Sequence, residues 1–299
     1  MTRAVAILTY HPIHIVENSY SGNDLLALDA DLAVIDRLGI PVRSLDQIFT
    51  PPDAAGLLEP ALRGPVVAIT FDDGAVFDYV DHPHPTCGPQ LAAASILRRN
   101  AARYPTLAGA WPRASTFVIA SPAARDELDR KDYFGGGYWR DDWWKEAVAS
   151  RMLGVESHSW DHNHPSLERS AQRDNVRGTF RNIETRDEAE AEIAQSVRYI
   201  EERAGKRPKF FAYPWGEASE YLHAQYLPTR GVELGLRAAL SCPETSSGYV
   251  TDASNRWLVP RFVCRHDWKS PAGLEDLLRG LVAACPGAAA RERPRSGAR

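Results

Sequence analysis

The sequence predicts an α/β protein, with a single barrel-like domain of about seven strands as first choice and a doubly wound open sheet as the alternative. Short apolar runs alternate with amphipathic stretches along the chain, which is typical of this class. Residues 66–70 form an uninterrupted apolar run, of the kind that is buried on both faces of a parallel sheet. Because no Pro/Gly/Ser-rich linker divides the chain, we expect one domain over residues 1–288 and a disordered basic tail over 289–299.

Seven short apolar segments are the strand candidates. They are residues 5–9, 66–70, 116–120, 153–157, 209–213, 236–240 and 257–263. Pro260 has no backbone N–H, so the last of them is predicted to be an edge strand or a bulged strand.

Three helices have clear signals. Leucine and isoleucine recur at helical spacing over residues 25–35. Thr185 and Glu188 form a capping box before an apolar helical face, and Gly205 ends that helix. Leucines over residues 274–281 indicate a last helix. The regions around 74–90 and 121–142 are predicted to be long loops, which in compact domains usually carry function.

Composition excludes several classes of function. The 299 residues include 35 Lys+Arg and 39 Asp+Glu, so no basic excess indicates a nucleic-acid partner. No apolar run approaches the roughly 18 residues of a membrane helix. The apolar stretch 4–8 is also shorter than a secretory h-region of about 7–15 residues. We therefore expect a cytoplasmic protein, with a trimmed export signal left open.

Two adjacent carboxylates follow the buried strand at 66–70, in the segment TFDDG at residues 70–74. Asp72 and Asp73 repel each other and lose solvation at a strand end, which is costly unless a cation or a proton lies between them. A plain turn is the alternative interpretation, since Asp-Gly is a common turn pair.

A pair of histidines follows another strand candidate, in the segment HSWDH at residues 158–162. His158 and His162 face the same way if the segment forms one helical turn, so that both can bind one metal. Two histidines and one carboxylate form a catalytic zinc-type ligand set. Surface or capping histidines are the alternative. A metzincin-like protease is disfavoured, because Ser159 stands where that motif needs glutamate.

A third segment, FAYPWG at residues 211–216, follows a further strand and contains a Pro-aromatic-Gly turn. Such a turn can aim a backbone N–H into a cleft, although a core aromatic turn is the default interpretation. Because strand C-termini converge on one face in barrel-like α/β folds, we expect the three segments to meet there.

In this order and placement, the segments resemble the motifs of the polysaccharide deacetylase (NodB homology) family of carbohydrate esterases. TFDDG is similar to the first family motif, HSWDH to the second and FAYPWG to the third. Tyr10-His11 is similar to a pair found in the branch related to poly-N-acetylglucosamine deacetylases. The resemblance spans roughly residues 5–266 and implies a distorted (β/α) barrel of about seven parallel strands.

The resemblance also implies site residues. Asp73, His158 and His162 would bind one divalent metal, with Zn²⁺ as first choice and Co²⁺, Ni²⁺, Mn²⁺ or Fe²⁺ as alternatives. Asp72 would be the general base, and the backbone N–H of Trp215 would help to hold the oxyanion.

The chain departs from the family pattern at two places. Ala212 stands where the third motif often has an arginine that supports the base, so this support must come from elsewhere. Residues 262–266 keep the rhythm of the last motif with Cys264 in place of leucine, which makes His266 the candidate general acid, with a surface histidine beside Asp267 as the alternative interpretation. The candidates for substrate binding are His11, Tyr213 and Trp160. Three histidines beside prolines are expected to line a cleft at most and not to bind metal: His82, His84 and His164.

The expected activity is metal-dependent hydrolysis of an acetyl or similar acyl group from the nitrogen of an amino sugar or glycan. A hydrolase of non-sugar linear or cyclic amides on the same fold and a non-catalytic carbohydrate-binding relic remain as alternatives. Without an export signal in this sequence, we expect a small N-acylated or lipid-linked sugar rather than an insoluble wall polymer. The expected partner is thus an N-acylated sugar, with no nucleic acid and no membrane span, and the oligomeric state is left open.

Overall fold

The computed structural model describes residues 3–242 and 248–286. Its ten strands are β1 (Arg3–Tyr10), β2 (Gly64–Phe71), β3 (His82–His84), β4 (Gly88–Gln90), β5 (Ala114–Val118), β6 (Leu153–Ser157), β7 (Phe210–Ala212), β8 (Ala238–Ser241), β9 (Val259–Pro260) and β10 (Phe262–Val263). Eight of them form one sheet in the order β10-β1-β2-β5-β6-β7-β8-β9, and every neighbouring pair is parallel. β3 and β4 form a separate antiparallel hairpin.

The helices lie between strands in the sequence, except for the last helix, which follows the final strand. They are α1 (Asp24–Arg37), α2 (Leu45–Ile48), α3 (Ala93–Ala101), α4 (Pro122–Asp132), α5 (Trp144–Ala149), α6 (Arg186–Ala189), α7 (Gln195–Ala204) and α8 (Pro271–Ala283). A π-helical turn, Glu190–Ala194, joins α6 to α7, and a second π-helical segment spans Leu222–Gly231. The capping box predicted at Thr185 and Glu188 is present, and Gly205 ends α7 in the left-handed conformation with φ 72°.

The barrel predicted from the sequence is confirmed, because the parallel sheet nearly closes on itself instead of staying open. β9 and β10 lie at the two ends of the strand order, yet only Arg261 separates them in the sequence. The Arg261 N–H donates to the Ser241 carbonyl on one side (3.1 Å), and the Cys264 N–H donates to the Thr9 carbonyl on the other (2.9 Å). The segment around Pro260, predicted to be an edge or bulged strand, therefore supplies the two end strands of the sheet and links them.

Alternation along the strands divides the core between the barrel interior and the helices. In β1, Ala6 and Leu8 pack in a cluster with residues of α1 and α8, whereas Val5 and Ile7 pack in a second cluster. This second cluster draws on β1, β2, β5, β7, β8 and β9, so it fills the barrel. Phe117 lies in it, below the carboxyl ends of the strands.

Two expectations from the sequence need comment. The region 121–142 was predicted to be a long loop, but half of it is α4. Ser121 caps that helix by accepting the Ala124 N–H, and Pro122 occupies its first turn. The basic tail predicted for residues 289–299 lies outside the described residues.

Among the described residues, none of the helices combines the length and the apolar character that crossing a membrane requires.

A buried carboxyl group links β6 to β7, which share a single registered pair of residues. Glu156 Oε2 accepts the backbone N–H groups of Lys209 (2.6 Å) and Phe210 (2.9 Å). Burial, and then the nearby charge of Asp46, raise the pKa of Glu156 to about 8. The same carboxyl ionises near pH 4.3 in an unfolded chain.

We therefore expect the stability of the protein to fall as the pH rises from about 5 to 8, by up to about 4 kcal/mol from this group, because only the unfolded chain loses the Glu156 proton in that range. Glu156→Gln keeps an oxygen for both N–H groups but cannot ionise, so its stability should depend less on pH. Urea unfolding at pH 5 and pH 8 measures this, with the exposed Glu146→Gln as control. Equal pH dependence for Glu156→Gln and wild type would contradict the assignment.

Candidate active site

The carboxyl ends of the strands surround one cavity of about 450 Å³. The segments that follow β1, β2, β6, β7 and β10 all contribute to its wall, as expected where parallel strands end together. The lining residues used below are His11, Asp72, Asp73, Tyr133, Trp139, His158, His162, His164, Trp215, Cys242, Arg261 and His266.

The two adjacent carboxylates leave β2 in a tight turn. The Asp72 N–H donates to the Tyr10 carbonyl (3.1 Å), and the Asp73 carbonyl accepts the Ile119 N–H (3.3 Å). Asp73 takes the left-handed conformation with φ 74°, which is unusual for a residue other than glycine and is frequent at functional sites. Gly74 follows with φ 76°, and a Cβ there would lie 2.5 Å from Val118 Cγ1. The turn thus requires glycine at position 74.

Arg261 holds Asp72 with two parallel hydrogen bonds. Its Nη1 donates to Asp72 Oδ1 (2.7 Å) and its Nη2 to Oδ2 (2.9 Å). Both side chains are buried, and the guanidinium lies 5.6 Å from the centre of the Phe117 ring. Arg261 thus contacts Asp72 where the resemblance, with Ala212 in place of the motif arginine, led us to expect a supporting group from another part of the chain.

This pair sets the charge of Asp72. Burial by itself raises the pKa of the carboxyl, but the Arg261 charge, followed by His158, outweighs it and holds the pKa at about 2. Asp72 is thus ionised at any pH at which the protein is expected to work.

Asp73, His158 and His162 bring one potential ligand atom each within 4.8 Å of one another. Asp73 Oδ1 lies 3.8 Å from His158 Nε2 and 3.7 Å from His162 Nε2. These separations are too long for hydrogen bonds. They are close to the spacing of roughly 3.3 Å between ligands that each lie about 2.0–2.1 Å from a tetrahedral zinc.

The state of the two imidazoles also suits a metal. His158 Nδ1 lies 2.8 Å from the Ala212 carbonyl oxygen, which can only accept, so Nδ1 carries the proton and Nε2 presents its lone pair towards Asp73. Burial lowers the pKa of both histidines, that of His162 further, and so favours the neutral form that metal ligands need. Asp73, His158 and His162 therefore fit a divalent metal and would hold it through one ligand atom each.

The loop that carries the histidines is not the helical turn considered from the sequence. Ser159, His162 and Asn163 have φ values of 69°, 63° and 45°, which no α-helix contains. Side chains replace the helical hydrogen bonds, since Ser159 Oγ accepts the His162 N–H (2.9 Å). Asp161 accepts the N–H groups of Asn163 (2.8 Å) and Ala171 (2.6 Å). The loop is fixed by these contacts, and the two imidazole rings come within 4.8 Å.

The turn after β7 places Trp215 at the cavity. Trp215 has φ 61° and ψ 5°, and Gly216 follows with φ 69°. A Cβ on Gly216 would lie 2.4 Å from Cys242 Cβ, so glycine is needed for this close approach. Trp215 is 42% exposed, and its ring lies 4.7 Å from the His162 ring. The role expected for its backbone N–H stays a prediction.

The remaining predicted site residues divide into two groups. His11 and His266 line the cavity, and His266 is 78% exposed, with Nδ1 3.4 Å from Asp267 Oδ1. Tyr213 and Trp160 are not among the lining residues. The Tyr213 hydroxyl donates to the Trp257 carbonyl in the core (2.9 Å), because the side chain turns inward from the end of β7.

Several residues of the cavity were missed in the sequence. Arg261 had one visible signal, a lone charge inside the apolar segment 257–263. Tyr133 and Trp139 come from the segment after α4, where their rings pack edge to face with centres 4.7 Å apart. Cys242 lies beside Arg261, and its sequence context gives no sign of this.

Comparison with solved structures agrees with the fold. This chain is similar to a deacetylase, PplD, of Streptococcus pyogenes solved with acetate, at 17% identity and TM-score 0.59, over 93% of this chain and 99% of that one. It is similar to IcaB from Ammonifex degensii at 19% identity and TM-score 0.54, over 94% and 100%. A de-N-acetylase from Aggregatibacter actinomycetemcomitans matches at 15% identity and TM-score 0.54, over 87% and 94%. At these identities, the similarity shows the fold alone.

The family follows from the sequence itself. The comparison with curated proteins gave no match. The model of the family described as polysaccharide deacetylase, in contrast, matches residues 60–232, a span that contains the Asp72-Asp73 pair, His158, His162 and Trp215. This match covers more than half of the chain, and the chain therefore belongs to the polysaccharide deacetylase family.

Proposed function

We propose that this protein is a metal-dependent hydrolase that removes the acetyl group from the nitrogen of an amino sugar within a glycan. The observation that carries the proposal is that a cluster able to hold a metal, Asp73 with two histidines, lies next to the ionised carboxylate of Asp72. Asp72 Oδ2 lies 3.8 Å from His158 Nε2, but both Asp72 oxygens are held by Arg261. Membership of the polysaccharide deacetylase family supports the class of substrate.

The two carboxylates have different tasks in this proposal. Bound by Asp73, His158 and His162, a divalent metal, with Zn²⁺ as first choice, would supply Lewis acidity that polarises the acyl carbonyl and eases the loss of a proton from water. Asp72 takes that proton as the general base. Because Arg261 orients both of its oxygens, Asp72 is positioned before substrate arrives.

Two further groups complete the reaction. The backbone N–H of Trp215 would hold the acyl oxygen as it gains negative charge. His266 would donate a proton to the departing amine, without which the C–N bond would form again. Both residues line the same cavity as Asp72, which supports these roles. His11 lines it as well and is proposed to contact the sugar.

The test is release of acetate from N-acetylglucosamine, its oligomers and a lipid-linked N-acetyl sugar. We expect activity on at least one of these, loss of at least about 10²-fold in kcat on removal of metal by a chelator, and recovery on adding Zn²⁺. His158→Ala should lose both activity and metal, whereas the control His223→Ala, whose residue lies away from the cavity, should keep both. No activity and no stoichiometric metal in the wild type would favour a binding relic instead. Activity on simple amides alone would favour a non-sugar substrate.

A further inference from the structure

His164 is an imidazole of the cavity wall to which the proposed mechanism gives no task. Its ring lies 5.6 Å from that of His162 and 5.5 Å from that of Trp215, and its side chain is 23% exposed. His164 therefore lies on the same wall of the cavity as His162, a proposed metal ligand, and Trp215, whose backbone N–H is proposed to hold the oxyanion.

The backbone fixes which nitrogen of His164 carries the proton. The Ser166 N–H points at His164 Nδ1 at 3.2 Å, and because a backbone N–H can only donate, Nδ1 must accept. Asp132 Oδ2 is the other group near this nitrogen, at 3.9 Å, which is beyond hydrogen-bond distance. In the neutral ring the proton is thus on Nε2.

This tautomer is the opposite of that of His158. The Ala212 carbonyl accepts from His158 Nδ1 and leaves a lone pair on Nε2, whereas the Ser166 N–H donates to His164 Nδ1 and leaves a proton on Nε2. A nitrogen that keeps its proton cannot bind a metal. No group in the described part of the chain accepts a hydrogen bond from His164 Nε2.

We propose that His164 is a further catalytic residue, whose Nε2–H donates a hydrogen bond to the acyl oxygen of the substrate beside the backbone N–H of Trp215. The inference rests on the proposed function. An acyl oxygen that reaches both the ligand cluster and Trp215 has to lie next to this wall, and a donor fixed there in advance stabilises the charge that forms on that oxygen. The group recognised is the carbonyl oxygen of an N-acyl substituent.

The experiment compares His164→Phe with His164→Gln in the full chain. Phe keeps a ring of similar size without a donor, and Gln keeps a side-chain N–H. For His164→Phe we expect a fall in kcat of roughly 10²–10³-fold with KM changed less than about threefold, since the contact strengthens as the oxyanion forms. His164→Gln should recover at least about tenfold of that loss. Both variants should keep the metal content and the melting temperature of the wild type.

The outcomes separate this inference from the function on which it rests. If the wild type releases acetate and His164→Phe does so at the same rate, His164 does not act on the acyl oxygen. Loss of metal from His164→Phe would make it a ligand, and a raised KM with unchanged kcat would make it a ground-state contact. Equal rates for the Phe and Gln variants would show that a side-chain N–H at position 164 does not contribute to the reaction. Failure of the wild type on every N-acyl sugar would instead overturn the proposed function.

Discussion

Asp72→Asn is expected to lower kcat by roughly 10²–10⁴-fold while the protein keeps its metal. The asparagine cannot take a proton from water at neutral pH, but the ligand atoms of Asp73, His158 and His162 are untouched. The amide oxygen can still accept one of the two Arg261 hydrogen bonds, so the barrel should stay folded. The measurement is kcat on the best acetylated substrate, together with metal content by mass spectrometry and the melting temperature.

A matched control is Asp29→Asn, which removes an exposed carboxylate paired with Arg99 and should leave kcat unchanged. A wild-type rate for Asp72→Asn would show that another group is the base. Loss of metal from this variant would show that Asp72, and not only Asp73, is a ligand.

Arg261→Met is expected to cost about 3–5 kcal/mol of stability, because it leaves the Asp72 carboxylate buried without its partner. It should also change the dependence of the rate on pH. Without the Arg261 charge, burial dominates and the pKa of Asp72 rises from about 2. A general base works only when ionised, so the acidic limb of kcat/KM should move to higher pH.

Arg261→Lys keeps a charge but not the paired geometry, and should recover part of both losses if the Met variant is too unstable to assay. Arg256→Met is the control, since Arg256 is a half-buried arginine that donates to backbone carbonyls of Thr50 and Arg237 instead of to a carboxylate. The acidic limb of kcat/KM for Arg256→Met should match that of the wild type. An unshifted acidic limb in both Arg261 variants would mean that Arg261 does not set the charge of the base.

The barrel could be predicted because its strands are short apolar runs with turn residues between them, and because motifs at strand ends mark one face. The final closure was visible only as a strand weakened by Pro260. Its division into β9 and β10 around Arg261 depends on pairing with β8 and β1, which are distant in the sequence. The local sequence pattern of a strand does not indicate which other strands it pairs with.

The same limit applies to the site. Asp72, Asp73, His158 and His162 stood in recognisable segments, and the structure brings all four together. Arg261 reaches Asp72 across 189 positions of sequence, so its role became visible only once the barrel closed. The histidine loop was expected to need a helical turn, but Ser159 and Asp161 hold it through side-chain hydrogen bonds that periodicity does not reveal. Tyr213 looked available for substrate, yet its hydroxyl is used in the core.

The most direct test of the central claim is anomalous diffraction from crystals of the full chain grown with one equivalent of Zn²⁺. A single strong peak about 2.0–2.2 Å from an oxygen of Asp73 and a nitrogen of each of His158 and His162 is the predicted result. A map with no peak between these three side chains, or with zinc bound only at other residues, would contradict the account.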